Sequence, residues 1–252
     1  MVEPPAPEHL PPRVRAAGEA ALVIEYGDTI DPARVAQVQA LDRAIEAARL
    51  DGCLPGIIET VPTFRSVAIL LDPLVTTPAE VADAVLRLVP CAEDPVTRSG
   101  REWCLPVHYG GEHGPDLASL ASTAGLDEAE AIRRHCDGVV DVFMLGFLPG
   151  FAFMGTTDPS LQQPRRSEPR VHVPAGSVAL AMQLTAVYPW ESPGGWHLIG
   201  HCPVALFDAS ARSPTLLAPG DRVRFRAIDI DEHAHLCAER AAGTLHGERF
   251  LS

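Results

Sequence analysis

The sequence contains no lysine and no asparagine, and all 20 basic residues of the 252-residue chain are arginine. The absence of lysine excludes a P-loop, a protein-kinase active site, a Schiff-base enzyme and a biotin carrier, since each of these needs a lysine side chain. The absence of asparagine excludes N-glycosylation sequons and Asn-Gly hairpin turns. Any phosphate that this chain binds must therefore be held by arginine, by backbone N–H groups or by a partner.

Acidic residues outnumber basic residues by 33 to 20, which gives a formal net charge of −13. This charge argues against nucleic-acid binding and anionic-membrane binding, because both need a basic surface. Between Phe151 and Arg226, however, seven arginines stand against five acidic residues. This local excess of positive charge is consistent with scattered surface arginines or with a site for a small anion.

The six cysteines are spread along the chain without any Cys-x-x-Cys spacing. We therefore expect neither a structural zinc site nor a secreted disulfide framework. The sequence shows no signal-peptide pattern at its start and no apolar run of membrane-spanning length. These features favour a cytoplasmic protein without a dedicated metal site.

The first part of the chain predicts a small α+β domain at residues 13–98, preceded by a loose, proline-rich arm at residues 1–12. Hydrophobic runs and capping signals predict the order strand, helix, strand, strand, helix. A further strand at Glu102–Val107 would complete the βαββαβ order of a ferredoxin-like domain.

The elements of this domain have clear local signals. Asp31 and Pro32 open one amphipathic helix, and Thr77 forms a capping box with Glu80 at the start of another. The predicted strands are Ala20–Tyr26, Ile57–Val61 and Arg65–Leu71, and the last two form a hairpin.

The second part, residues 99–230, contains many short β-type runs separated by Gly and Pro, which favours a barrel or a sandwich. Two short helices are predicted before these runs, at Asp116–Ala121 and Asp127–Asp137. We interpret Asp116 as a helix cap rather than as a catalytic residue.

The tail, residues 231–252, is expected to hold one helix and then to fray. His233 and His235 lie in this tail and are interpreted as facing solvent. His197 and His201 are four residues apart, but they fall in a predicted strand and turn, where this spacing does not establish a metal site.

Four segments combine glycine, proline, aromatic and arginine residues at unusual density. They are Gly146–Phe151, Pro164–Arg170, Pro174–Ser177 and Pro193–Trp196. Turns alone explain the Gly and Pro of each segment. Taken together, however, glycines let a ligand approach the main chain, and guanidinium groups pair bidentately with carboxylate or phosphate. The set predicts a pocket for a small anion.

These segments resemble the family of 5-oxoprolinase B subunits, which is also called allophanate hydrolase subunit 1 or the KipI sensor-kinase-inhibitor family. The motifs that carry the resemblance are GFLPGFAFMG from Gly146, PRRSEPRVHVPAGSVALA from Pro164, VYPWESPGGWHLIGHCPVALFD from Val187 and LLAPGDRVRFRAI from Leu216. The stretch YGGE from Tyr109 is also similar. The resemblance covers about residues 13–228, and the ordered succession of several motifs makes it specific.

The resemblance implies a small α+β domain followed by a cyclophilin-like β-barrel. It also implies the B-type subunit of an ATP-dependent 5-oxoprolinase, which opens the lactam of 5-oxo-L-proline to give L-glutamate. Such a protein acts only with a homologous C-type subunit, together with an A-type protein, and magnesium is expected only as the counter-ion of ATP. Two alternatives stay open: a carboxyltransferase subunit of the allophanate hydrolase or urea carboxylase type, and a non-enzymatic inhibitor of a sensor histidine kinase.

On this interpretation Arg165 and Arg170 clamp anionic groups of the substrate, and His108 is a candidate general base. The expected substrate-binding residues are Phe147, Pro149, Gly150, Phe151, Pro174, Gly176, Ser177, Gly194, Gly195, Trp196 and His201. The glycines of the last two segments, with Ser177, would contribute backbone N–H donors. Arg166 is less secure, because three arginines within six residues cannot all point the same way.

Some positions depart from the family pattern. They are Ala179, Met182, Leu184, His201 and Cys202. After Ser177 the family usually continues with glycines and a Gln-Thr-Gly element, whereas this chain has larger or apolar residues there. His201 and Cys202 stand where the family is expected to have Arg and Thr. These departures predict a different substrate or a degenerate site.

Overall fold

The structure is a computed structural model, and it describes residues 12–89 and 100–252. Contacts within the chain divide it at residue 97 into two compact units. The predicted loose arm lies outside the described residues except for Pro12, and so does the end of the predicted 13–98 domain. None of the described helices is long and apolar enough to span a lipid bilayer.

In residues 12–89, the first unit is an antiparallel sheet with the helices α1 and α2. Its elements are β1 (Arg13–Ala16), β2 (Ala21–Glu25), α1 (Pro32–Leu50), β3 (Ile57–Pro62), β4 (Ser66–Leu71) and α2 (Pro78–Leu86). The strand order is β1-β2-β4-β3, and every neighbouring pair is antiparallel. The predicted hairpin is therefore confirmed as the pair formed by β3 and β4.

Local sequence signals determine where α1 and α2 begin. The Asp31 side chain accepts a hydrogen bond from the backbone N–H of Ala33 at 2.7 Å, and Pro32 occupies the first turn of α1. At the start of α2, the N–H of Thr77 donates to the Glu80 carboxylate at 2.9 Å, and the Thr77 hydroxyl accepts from the Glu80 N–H at 3.3 Å. The predicted cap and capping box are both confirmed. The apolar face of α1 packs on the sheet through the buried Val35, Val38, Leu41 and Ile45.

The ferredoxin-like arrangement is not confirmed. Residues Glu102–Val107, predicted as its last strand, belong to a longer strand, β5 (Glu102–Tyr109), which lies in the second unit. The fourth strand of the first sheet is instead β1, an edge strand whose residues are all exposed. The prediction was wrong because the hydrogen-bonding partner of β5 lies about 120 residues further along the chain.

The second unit is built around a closed seven-stranded barrel, which confirms the barrel alternative. Its strands are β5, β6 (Val139–Leu145), β7 (Ala152–Gly155), β9 (Ser177–Ala181), β10 (Leu184–Val187), β12 (His197–His201) and β13 (Arg222–Ala227), in the order β10-β7-β6-β13-β5-β12-β9. β5 and β13 are parallel, whereas the other barrel pairs are antiparallel. The strands β8 (Arg170–Val173) and β11 (Ser192–Gly194) form a separate ribbon.

A buried carboxylate, Asp221, helps to close the barrel. It accepts hydrogen bonds from the indole N–H of Trp103 and from the backbone N–H of Arg101, both at 2.9 Å. The Arg101 guanidinium and the backbone N–H of Ala218 donate to it at 2.9 and 3.0 Å. Because its oxygens are bonded on several sides, this carboxylate can be buried without the cost of an unpaired charge.

Three further helices belong to the second unit. They are α3 (Leu117–Thr123), α4 (Glu128–Asp137) and α5 (Ile230–Ala241). On α4, His135 joins a buried chain of hydrogen bonds: the Thr185 hydroxyl donates to the carbonyl of Ala179 at 3.1 Å, so it accepts from His135 Nε2 at 3.1 Å. The Tyr109 hydroxyl then donates to His135 Nδ1 at 2.7 Å. Burial lowers the pKa of His135 to about 3, so this imidazole is neutral.

The predicted tail helix is confirmed as α5, but the fraying predicted after it is wrong. Asp229 caps α5 through a 2.8 Å bond from the N–H of Glu232, and a 3₁₀ turn follows at Gly247–Phe250. Leu251 then forms an isolated bridge with Trp103, and the N–H of Ser252 donates to the carbonyl of Glu102 at 2.8 Å. The last residues therefore pair with the barrel, because the edge of β5 offers backbone groups that need partners.

Candidate functional site

An aromatic cluster connects the predicted loops. Phe151 is buried, and its ring centre lies 5.4 Å from that of Phe147, 5.1 Å from that of Tyr188 and 6.0 Å from that of Trp196. Trp196 is also buried, whereas Phe147 is 63% exposed. The structure thus brings these segments together, but it assigns Phe151 and Trp196 to packing, and of the predicted aromatic contacts only Phe147 faces solvent.

The turn at Pro149 and Gly150 also serves packing. The Pro149 carbonyl accepts a hydrogen bond from the Trp190 indole at 3.1 Å. Gly150 has a φ of 80°, and a Cβ at this position would lie 2.7 Å from the Cβ of Phe207. Only glycine fits both the conformation and the space.

The predicted backbone donors of the Pro174–Ser177 turn are used inside the protein. The N–H of Gly176 donates to the Tyr188 carbonyl at 2.7 Å, and the N–H of Ser177 donates to the Pro174 carbonyl at 3.2 Å. The prediction that Gly176 and Ser177 offer N–H groups to a ligand is therefore wrong. It failed because the Gly176 N–H bonds to Tyr188, directly after β10, and the Ser177 N–H closes the turn on Pro174.

The glycines of the Pro193–Trp196 segment let other groups come close. A Cβ on Gly194 would lie 2.4 Å from the Tyr188 hydroxyl oxygen. The carbonyl of Gly195 accepts a hydrogen bond from the backbone N–H of Arg166 at 2.8 Å. The two glycines therefore allow this segment to contact Tyr188 on one side and Arg166 on the other.

Asp116, Arg166 and Arg170 form a half-buried ion-pair group, which we call the arginine cluster. Arg170 donates to the two carboxylate oxygens of Asp116 at 2.8 Å each, and Arg166 donates to one of them at 2.9 Å. The backbone N–H of Leu198 adds a fourth bond at 2.7 Å. Burial alone would raise the pKa of Asp116, but the bonds from Arg170 and Leu198 outweigh it and lower the pKa.

This cluster corrects two predictions. Asp116 precedes α3, but its side chain makes no capping hydrogen bond to that helix. Arg170, which was expected to clamp a substrate, instead holds both carboxylate oxygens of Asp116. Arg166, the less secure arginine, belongs to the same cluster. Two guanidinium groups against one carboxylate leave one excess positive charge.

Arg165 faces a cavity of about 350 Å³ that is lined by residues 163–168 and by His197. Its guanidinium carbon lies 5.9 Å from the ring centre of Trp196, and the residue is exposed. Arg166 lines the same cavity, and within the described part of the chain its buried Nε–H has no acceptor. The cavity therefore presents N–H donors and positive charge, with Glu168 as its one acidic wall residue.

Tyr188 is affected by the same arginines. Its burial raises the pKa of the hydroxyl to about 12, although the charges of Arg165 and Arg170 act in the opposite direction. The hydroxyl is therefore protonated at neutral pH and can serve as a hydrogen-bond donor.

His108 and His201 belong to a different place, which we call the histidine cluster. Its members are His108, His113, His201, His233 and Cys237. His201 Nδ1 lies 2.8 Å from His233 Nε2, and Cys237 Sγ lies 3.7 Å from the same His233 atom. Within the described residues, His201, His233 and Cys237 form a group that could hold a metal ion.

The histidine cluster also corrects the prediction for His233. His233, expected to face solvent, is buried, because it lies on the barrel-facing side of α5. His201 is partnered by His233 rather than by His197, whose Nε2 donates to the Pro164 carbonyl at 2.8 Å. No metal site was expected from the sequence; the i, i+4 spacing of His233 and Cys237 on the predicted helix was the available signal for the group that they form with His201.

Burial favours the neutral form of three imidazoles of this cluster, those of His108, His201 and His233. It lowers the pKa of His201 to about 4, with the neighbouring His233 and His113 adding to the effect. The pKa values of His108 and His233 are also lowered, first by burial and then by the other histidines. Neutral imidazole is the form that acts as a base or as a metal ligand.

The departures from the family pattern outside the histidine cluster lie in two settings. Ala179 and Leu184 are buried barrel residues, and Cys202 is fully buried. Met182 is exposed and has a φ of 54°, a conformation that favours glycine. Its N–H donates to the carbonyl of Gln163, a residue that lines the cavity, at 2.6 Å. Met182 is therefore the one of these four that adjoins the candidate site.

Comparison with known proteins agrees with this architecture. The model of the family described as "Carboxyltransferase domain, subdomain C and D" matches residues 12–217, and the chain belongs to this family. It is 39% identical over 236 residues to the 5-oxoprolinase B subunit of Bacillus subtilis (strain 168), a match that covers 88% of this chain and 96% of the relative. The resemblance seen in the motifs is confirmed.

Solved structures show the same fold. The structure of TTHA0988 matches with a TM-score of 0.71 and 33% identity over 83% of this chain, although this chain covers only 40% of TTHA0988. A urea carboxylase of Kluyveromyces lactis matches with a TM-score of 0.70 over 97% of this chain and 24% of that enzyme. At 18% identity, the second likeness shows the fold alone.

Proposed function

We propose that this chain is the B-type subunit of a 5-oxoprolinase-like, ATP-dependent amide hydrolase that converts 5-oxo-L-proline to L-glutamate. It would act in a complex with a homologous C-type subunit and an A-type protein. The name of the Bacillus subtilis relative supports this proposal, as does the continuous series of family motifs between residues 146 and 228.

The observation that carries the proposal is the cavity beside Arg165 and Arg166. Its volume of about 350 Å³ suits a small single-ring acid, at the lower end of the range for small-molecule sites. A carboxylate entering it would meet the exposed Arg165 guanidinium, next to the positive charge of Arg166, whose Nε–H is buried and lacks an acceptor among the described residues. Charge-assisted bonds of this kind fix both position and orientation. The chain's contribution would be to hold the substrate carboxylate while the lactam is opened.

The described residues around this cavity do not fit a nucleoside triphosphate with its magnesium ion. The Gly176 and Ser177 N–H groups are already used, the chain has no lysine, and Glu168 is the one carboxylate in the cavity wall. Magnesium prefers several oxygen ligands in octahedral geometry. We therefore place ATP binding on a partner protein.

The test is to coexpress this chain with C-type and A-type partners and to measure glutamate formed from 5-oxo-L-proline with ATP. Substituting Arg165→Gln should raise the KM for 5-oxoproline by about tenfold or more, since one charge-assisted bond contributes about 1.5–3 kcal/mol. Arg165 is exposed, so this change should leave folding intact. Arg212→Gln, which removes another exposed arginine outside the cavity, is the matched control.

Two results would contradict the proposal. A stable three-component complex without ATP-dependent glutamate formation would rule out the activity. An unchanged KM in the Arg165→Gln complex would separate the cavity from substrate binding.

A carboxyltransferase is the second candidate, and the match to the carboxyltransferase-domain family favours it. Because the chain has no lysine to carry biotin, a separate biotin carrier would have to supply the carboxyl group. Transfer of labelled carboxyl from carboxybiotin to urea by the coexpressed complex, in place of glutamate formation, would support this alternative.

A further inference from the structure

The histidine cluster draws its members from three parts of the second unit. His108 lies on β5 and His113 in the loop after it, His201 ends β12, and His233 and Cys237 lie on α5. The ring centres of His201 and His233 are 4.9 Å apart, and that of His113 lies 4.6 Å from His233 and 5.3 Å from His201. Residues far apart in the sequence thus place several nitrogen donors and one sulfur around a single point.

The protonation of His201 follows from its neighbours. Its Nε2 lies 3.1 Å from the carbonyl oxygen of Ala175, and a carbonyl can only accept, so Nε2 carries the hydrogen. The lone pair of neutral His201 is therefore on Nδ1, the atom that faces His233 Nε2. A histidine that donates one ring N–H to a backbone carbonyl and presents its other nitrogen is the usual arrangement of a metal ligand.

The distances are close to those of a tetrahedral site. With metal–nitrogen bonds of about 2.05 Å and a metal–sulfur bond of about 2.3 Å, tetrahedral ligands lie about 3.6 Å apart for nitrogen and sulfur and about 3.3 Å apart for two nitrogens. The Cys237 Sγ to His233 Nε2 distance is 3.7 Å. The His201 Nδ1 to His233 Nε2 distance is 2.8 Å, so this pair must open by about 0.5 Å.

His108 places a further imidazole beside the three potential ligands. Its Nδ1 is buried and has no hydrogen-bond partner within the described part of the chain. A buried nitrogen in this state costs free energy that an added ligand or ordered water would recover. The ring of His108 lies 5.2 Å from that of His113 and 5.5 Å from that of His233, so this unsatisfied nitrogen belongs to the same group of rings.

We propose that His201, His233 and Cys237 bind one zinc-class transition metal ion, with the fourth coordination position facing His113. Imidazole and thiolate ligands select zinc or cobalt(II) over magnesium and calcium. On binding, the Cys237 thiol releases its proton to solvent, and the proton on His233 Nε2 moves to Nδ1, so that nitrogen and sulfur lone pairs bind the ion. The ion would connect α5 to the end of β12.

This proposal does not depend on the proposed function. The cluster shares no residue with the wall of the arginine-lined cavity. The enzymatic test can therefore fail while the metal test succeeds. Because the ion would join α5 to the end of β12, removal of the metal should weaken the packing of α5 on the barrel.

The experiment uses the full, untagged chain after removal of metal with a chelator. Titration with Co²⁺ should give one equivalent of tight binding, with a thiolate-to-cobalt charge-transfer band and the intense visible bands of tetrahedral cobalt. Zn²⁺ should displace the cobalt and abolish both signals. The protein should also unfold at a higher temperature with Zn²⁺ than without it.

Single substitutions identify the ligands. Cys237→Ser, the closest replacement in size, should remove the charge-transfer band and weaken binding by at least about 100-fold, since even outer-shell changes cost 10–100-fold. His201→Gln should weaken binding similarly. The matched controls are His235→Gln, on the exposed side of the same helix, and Cys53→Ser, an exposed thiol in the first unit; both should keep the spectrum.

Two results would overturn the proposal, one with the unsubstituted protein and one with the variants. If it shows no charge-transfer band and no stoichiometric Co²⁺ binding, the site does not exist. If binding occurs but survives both Cys237→Ser and His201→Gln, the metal lies elsewhere, and the assignment of these ligands is wrong.

Discussion

The arginine cluster and the histidine cluster are two polar groups in the same unit, and they differ in how fully their central groups are hydrogen-bonded. In the arginine cluster, Asp116 accepts four hydrogen bonds at 2.7–2.9 Å. In the histidine cluster, His108 Nδ1 has no partner among the described residues. The imidazoles of His201 and His233 and the sulfur of Cys237 lie close enough together to share one metal ion. The carboxylate of the first cluster is satisfied within the chain and stabilises a loop, whereas the second has the donors for an added ion. The comparison shows that buried polar residues need separate interpretation, according to which of their atoms are satisfied.

The largest expected effect comes from breaking the arginine cluster. Asp116→Asn leaves Arg166 and Arg170 without a counter-charge, and we expect it to lower the free energy of unfolding by about 2–4 kcal/mol. Both arginines are partly exposed, which keeps the loss below that of a fully buried pair. Urea denaturation measures it, with Asp208→Asn, an exposed carboxylate, as the control. A loss under about 1 kcal/mol would mean that solvent compensates the arginines.

The same pair has a defined pH dependence. Because the folded-state pKa of Asp116 is lowered, its contribution to stability is complete above the unfolded-state pKa, about 3.9, and is lost as the pH falls through the lower folded-state value. The stability difference between the unchanged protein and Asp116→Asn should therefore be constant near pH 7 and shrink below about pH 4. A difference that persists unchanged in acid would contradict the ion-pair account.

A neutral network sharpens the comparison, because it is complete but carries no charge. Thr185→Val removes the acceptor of His135 Nε2 and the donor to Ala179 without changing side-chain shape. We expect a loss of about 1–3 kcal/mol in the free energy of unfolding, the cost of buried polar groups left unpaired. Thr123→Val, on the exposed end of α3, should change stability by less than about 0.5 kcal/mol.

The smallest expected effect concerns the backbone beside the cavity. Met182→Gly keeps the left-handed conformation but removes its cost, which is about 1–2 kcal/mol for a non-glycine residue. Glycine also makes the unfolded chain more flexible, which costs the folded state about 0.5–1 kcal/mol. The net result should be a gain of about 0.5 kcal/mol, measured by thermal and urea denaturation. Val171→Gly, at an exposed position in strand β8, should instead destabilise the protein.

The sequence predicted those elements whose determinants lie close together. The caps at Asp31 and Thr77 were correct because each bond spans two or three residues. The position of β5 was wrong because its pairing with β13 joins residues about 120 positions apart. For these long-range pairs, hydrophobic pattern gives the strand but not its neighbour.

The same distinction holds for the site. The motifs singled out the segment with Arg165, Arg166 and Arg170, because Gly, Pro and Arg at this density are unusual. They could not show that Asp116, some 50 residues earlier, occupies two of these arginines. The histidine cluster was missed for a similar reason: His233 and Cys237 lie on the predicted tail helix, but their partner His201 lies about 30 residues earlier.

The parallel pairing of β5 with β13 determines when the barrel can close during synthesis of the chain. β5 is the first strand of the barrel to leave the ribosome and β13 is the last. Until residues 222–227 emerge, one side of β5 has no neighbour, and Trp103 lacks the Asp221 carboxylate that accepts its N–H. The barrel therefore cannot close while the intervening residues are being synthesised. During that interval the unpaired edge of β5 is exposed to other strands, whereas the described residues of the first unit can already form their sheet, α1 and α2.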